Sequence, residues 1–153
     1  MDQHENSRIV VGLDCSMHDD AVLAAAMTEA DRRSATLRVV HAVEITMLDI
    51  RALTQEESHP RAAEHTAHIE AVHRELRHQV DATATVLGVA VPVEFQIERG
   101  DPATCLLGAA RDADLIVTGT RSTGTSSPLL LGTVSQDIAV HASCPVLLVP
   151  PKT

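Results

Sequence analysis

Five short apolar runs alternate with helix-patterned segments along this chain, and few folds accept that order. The runs are RIVVGL (Arg8 to Leu13), TLRVVHAV (Thr36 to Val43), VPVEFQIE (Val91 to Glu98), DLIVTG (Asp114 to Gly119) and PVLLV (Pro145 to Val149). Each is rich in β-branched residues and long enough for one strand. The first and fourth are nearly continuous in apolar character, as strands buried on both faces are. The third alternates apolar and polar residues, which suits an edge. Between them a helix is expected from about Asp19 to Arg33, with Val22, Leu23, Ala26 and Ala30 on one face and N-cap candidates among Ser16 to Asp20. A second should run from Pro60 to Leu87, carrying Ile69, Val72, Leu76, Val80 and Leu87 at helical spacing and stopped by Gly88. A third begins at Asp101-Pro102, an N-cap followed by proline at the first helical position, and runs to about Arg111; a fourth spans Thr133 to about His141. Parallel neighbours joined by right-handed helical crossovers follow. The expected fold is α/β: a single doubly wound domain over residues 1–153, a five-stranded parallel sheet flanked by four helices. Ligands of such sheets sit beyond the carboxyl ends of the strands, here Asp14, Val43 and Gly119.

Charge removes several functions. The net charge of −9 disfavours nucleic acid, whose phosphates need a basic face. The only lysine is Lys152, so the Gly-Lys-Ser/Thr of a Walker A loop is absent, and a Schiff-base lysine is not expected. No apolar run of membrane-spanning length occurs and MDQHENSR is too polar for a signal peptide, so no membrane partner and a cytoplasmic location are expected. Cys15, Cys105 and Cys144 lack metal-site spacing and are expected as reduced, partly buried thiols. His59, His65, His68, His73 and His78 fall within or beside the long helix; a solvated helix face is the expected setting, and His41 should be a hydrogen-bonded residue inside its strand.

The segment after the fourth strand reads GTRSTGTSSPLLLGTVS, Gly119 to Ser135. A strand, a loop of glycine and hydroxyl residues, and a helix start form a phosphate cradle, because unpaired amides and the helix dipole face the same point. Arg121 is the one cation inside the loop. The spacing resembles the nucleotide motif of the universal stress protein family, G-x2-G-x9-G-[ST]: Gly119, Gly132 and Thr133 match it, and Ser122 stands at the second glycine. IVVGLDCS resembles that family's opening strand, ERGDPATCLLGAARDADLIVTGTR its central section and LGTVSQDIAVHASCPVLLV its C-terminal one.

The resemblance implies a nucleotide-binding stress-response regulator that takes ATP, or another adenine nucleotide, with Mg²⁺. By position Asp14 would contact the adenosine or a bound metal. The backbone of Leu13 and Ala42 would line the adenine, with Thr118 beside it. Gly119 and Ser122 would let the loop approach ribose and phosphates, and Gly132, Thr133, Val134 and Ser135 would offer amides and hydroxyls to the phosphate chain. It also implies a homodimer through the strand at 145–149. Any ATPase activity or self-phosphorylation would be slow, for want of an evident base and cationic clamp. A member that binds no nucleotide and acts by dimerisation or partner binding is the alternative. An adenylate-handling enzyme is less favoured because GLDCSMHD stands where that class carries Ser-Gly-Gly-x-Asp-Ser, and a flavin would find only Phe95 to stack on. The segment Glu44 to His59 is expected to be a mobile lid over the adenine side.

Overall fold

A residue and its neighbour along a strand face opposite sides of a sheet, so a run such as Ile9-Val10-Val11 has to be covered twice. The computed structural model, which describes residues 7–44, 60–120 and 131–151 (without the side chains of 60–62), shows that arrangement. The elements are β1 (Arg8–Gly12), α1 (Asp19–Arg33), β2 (Thr36–Val43), α2 (Pro60–Leu87), β3 (Val93–Arg99), α3 (Pro102–Ala109), β4 (Leu115–Gly119), α4 (Thr133–His141) and β5 (Val146–Val149). All strand pairs are parallel, in the order β3-β2-β1-β4-β5. Among the described residues, the α/β fold with five strands and four helices is the one the alternation predicts. The segment 45–59 and the loop holding Arg121 and Ser122 lie outside the described residues, so the lid and the second-glycine position have no structural account.

Two apolar layers sandwich the sheet. Ile9, Val11, Leu37, Val39, Leu115 and Val117 pack under α1 and α2 against Leu23, Met27, Leu76 and Val80. Val10, Val40 and Ile116 pack on the other face against Leu106 of α3 and Ile138 of α4. Leu23 is fully buried in the first layer. Leu23→Ala is expected to destabilise the protein by about 2–5 kcal/mol, through lost transfer energy and the cavity left behind. A urea titration reads this as a lower midpoint at unchanged slope.

Local chemistry sets the ends of these elements. Asp101 caps α3 by accepting from the Thr104 amide at 3.0 Å, with Pro102 next in line. That helix stops at Ala109, short of the expected Arg111, because Ala110 leaves helical geometry (φ −100°, ψ 9°) while its N–H still closes on the Leu107 carbonyl. Gly88 ends α2 in the left-handed region, φ +67°, where a side chain is strained. The start of α1 departs from expectation: its cap position is His18, with no side-chain cap bond. The Asp19 carboxylate turns backward instead and accepts from the amides of Asp14 (3.2 Å) and Cys15 (2.8 Å). It holds Cys15 at φ +62°, a conformation that disfavours residues with a Cβ.

Two edges remain. β3 is one, as its alternating pattern predicts; β5 is the other, pairing only with β4 among the described residues. Among the described residues no helix is long and apolar enough to cross a membrane.

Candidate functional site

Strand order reverses between β1 and β4, so the connections after these two strands leave in opposite directions and open a crevice at their carboxyl ends. A cleft of about 480 Å³ occupies it. Of the residues expected at a nucleotide, Leu13, Asp14, Ala42, Thr118, Gly119, Val134 and Ser135 all line this cleft. Gly132 and Thr133 sit beside it as the cap and first residue of α4. Arg121 and Ser122 fall outside the described residues. The cleft also takes in residues that sequence reasoning did not assign to a site: His18, Asp19, His41, Glu44, Asp101, Pro102 and Leu106.

The turn after β1 is tightly specified. The Leu13 amide donates to the Val40 carbonyl at 3.0 Å, extending the β1–β2 ladder by one residue. His41 Nδ1 lies 2.8 Å from the Leu13 carbonyl. A carbonyl only accepts, so that nitrogen carries the proton. Asp14 Oδ1 accepts from the Ser16 amide at 3.0 Å, closing an Asx turn that leaves the exposed carboxylate at the cleft. Behind it Asp19 is 3% exposed. Burial pushes the Asp19 carboxyl up to about 7; a hydrogen bond with Asp14 and the charge of Asp14 add to this, while its two amide donors pull the other way.

At the opposite wall, α4 begins with Gly132. The Gly132 N–H is already used, donating to the Thr120 carbonyl at 2.8 Å, and the Ser135 hydroxyl donates to the Gly119 carbonyl at 2.5 Å. These two bonds fasten the end of β4 to the start of the helix. The first helical bond runs from Gln136 to the Gly132 carbonyl, so the amides of Thr133, Val134 and Ser135 have no acceptor among the described residues. They are the groups that can meet an anion.

The histidines divide. His65 is not on a solvated face: it is 8% exposed, and its Nε2 accepts from Arg99 Nε at 2.6 Å. His73 packs edge-on against Phe95, ring centroids 5.0 Å apart. Among the described residues no three His, Cys, Asp or Glu side chains are placed to hold a metal. All three cysteines are free; Cys105 is buried and Cys144 half-buried as expected, whereas Cys15 is exposed. Cys15 Sγ lies 3.8 Å from His41 Nδ1, but that nitrogen already donates to Leu13 and cannot take the thiol proton. Burial, with the charges of Asp19 and Asp14, pushes the thiol up. Neither condition for an activated nucleophile is met.

Comparison with known proteins fits this architecture. The model of the Universal stress protein family matches residues 5–150. A Thermus aquaticus universal stress protein is 35% identical over 143 residues, covering 92% of this chain and 96% of that one. A Mycobacterium tuberculosis universal stress protein is 30% identical over 156 residues, and the chain spans about half of its length, 49%. Among solved structures, a universal stress protein in complex with cAMP superposes with a TM-score of 0.66 at 25% identity, covering 94% of this chain and 96% of that one.

Proposed function

Since the chain belongs to the universal stress protein family, we propose that it is an adenine-nucleotide-binding regulator of the stress response that works as a homodimer. One observation carries the reading: the 480 Å³ cleft, where the Asx turn of Asp14, the strand end at Thr118 and Gly119, and the open amides of α4 converge. Its volume lies in the range of small-ligand sites. The family relative that binds cAMP supports it. In this reading the adenosine lies across Leu13 and Ala42, and a phosphate meets the amides of Thr133, Val134 and Ser135. Gly132 and the Ser135 hydroxyl hold the frame rather than the ligand. ATP enters the reading with Mg²⁺ held on its phosphates, within reach of the Asp14 carboxylate at the cleft.

The dimer is proposed through β5, a four-residue apolar edge strand with Leu147 36% exposed and Val140 of α4 75% exposed. Pairing between copies would satisfy the open edge. The same edge favours the alternative, a member that acts by dimerisation with no nucleotide.

Nucleotide carried through purification separates the two. The expected result is that heat-denatured protein releases an adenine nucleotide, or that protein stripped of it binds added AMP or ATP–Mg²⁺ at micromolar to millimolar concentration. No release and no binding would leave the dimer-only reading.

A further inference from the structure

The first turns of α2 reach past the core. The apolar contribution of this helix to the first layer begins at Val72 and continues through Leu76 and Val80. From residue 63 to residue 71 the one buried side chain is His65. It meets Arg99, the last residue of β3, whose Nε–H donates to His65 Nε2 at 2.6 Å. A guanidinium only donates, so Nε2 must present its lone pair and the ring proton sits on Nδ1.

That bond exists only with a neutral imidazole. A second proton would take the lone pair and set an imidazolium against a guanidinium, two cations at contact. Other ring bonds in the chain have no such requirement. His41 Nδ1 and His141 Nδ1 donate to the carbonyls of Leu13 and Asp137, and both bonds survive protonation of the second nitrogen. Besides Arg99, the titratable side chains around His65 among the described residues are His41 and Glu44, from the end of β2, and Glu64 and His68, from α2. With His65 they line one cavity of about 450 Å³. The two carboxylates there are new partners for an imidazolium or for a released Arg99, so the acid form has an arrangement of its own.

We infer that the His65–Arg99 bond is an acid-sensitive latch: it fastens the first turns of α2 to β3 at neutral pH and releases them when the imidazole takes a proton. Histidine is the side chain suited to this, because its charge changes within the physiological range. His41, Ala42 and Glu44 line both this cavity and the cleft, so the released end of α2 borders the β2 wall of the cleft.

Hydrogen exchange of the full chain at about pH 7.5 and about pH 5.5, with labelling times scaled to the intrinsic amide rate, tests the latch. Protection of residues 63–71 is expected to fall about 10-fold or more at the lower pH, the loss of one hydrogen bond to a charged group, while residues 72–87 lose none. His65→Gln keeps an acceptor at the same reach and does not titrate. Its protection over 63–71 should differ by no more than about two-fold between the two conditions. Ring ¹⁵N shifts supply a second reading, with the His65 proton expected on Nδ1 at neutral pH. A proton on Nε2 there, unchanged protection over 63–71 in the wild type, or a loss on acidification that persists in His65→Gln would each overturn the latch.

Discussion

Gly132→Glu is expected to abolish measurable nucleotide binding while the protein stays folded. The position is the buried cap of α4, beside the open amides of Thr133, Val134 and Ser135. A carboxylate there acts twice: it takes the amides a phosphate would use, and it repels that phosphate. At about 4 Å and an effective dielectric near 20 the repulsion is on the order of 4 kcal/mol, about a thousand-fold in Kd. Backbone strain does not confound the test, since Gly132 has φ −66° and ψ 162°, extended geometry open to any residue. Gly132→Ala should therefore bind within about three-fold of wild type, by this argument from conformation. Equal AMP affinity in Gly132→Glu and wild type would mean that the phosphate lies elsewhere.

The second large effect concerns pH. Asp19 holds its proton up to about pH 7 in the folded chain, against an ordinary value of 3.8. Between those limits the folded state binds more protons than the unfolded state, so stability falls as pH rises through the window and stays low above 7. At 1.36 kcal/mol per pH unit the loss is at most about 4 kcal/mol. An asparagine in place of Asp19 has nearly the same shape and no charge, but it can accept only one of the two amides that Asp19 now serves, a loss of about 1 kcal/mol. The Asp19→Asn and wild-type stability curves should therefore cross. The variant should melt slightly below wild type at about pH 4 and about 5–10 °C above it at about pH 8. Parallel curves across that range would show that Asp19 titrates in the ordinary way.

These residues also mark where a linear reading of the chain stops. Strand and helix positions were legible because period two and period 3.6 are local, and a parallel sheet buried on both faces writes long apolar runs. Asp14 and Gly119 were legible as cleft residues because doubly wound sheets gather ligands at one end, and Thr118 and Val134 were legible only through the resemblance to the family motif. Asp19 was not. In the run His18-Asp19-Asp20 an acid reads as a helix cap, and only the folded turn shows its carboxylate pulled back onto Asp14 and Cys15. Asp101 was legible as a cap, and it is one. Its second position, on the cleft wall, depends on α3 packing beside β2 and β1. His65 carried a usable signal: it continues the stripe of Ile69, Val72, Leu76 and Val80 by one helical step, and so belonged to the buried face. Its partner Arg99 comes from β3, and nothing local to the helix announces that bond.

Amide chemical shifts during an AMP titration test the central claim most directly. The account predicts that the backbone amides of Thr133, Val134 and Ser135 move together with those of Asp14 and Ala42, saturating on one binding curve. The network of Arg8, Arg38, Glu94 and Asp112, anchored at the opposite ends of the strands, should stay still. Shifts centred on that far network, or no shift at millimolar AMP, would contradict a nucleotide site at the carboxyl ends of β1 and β4.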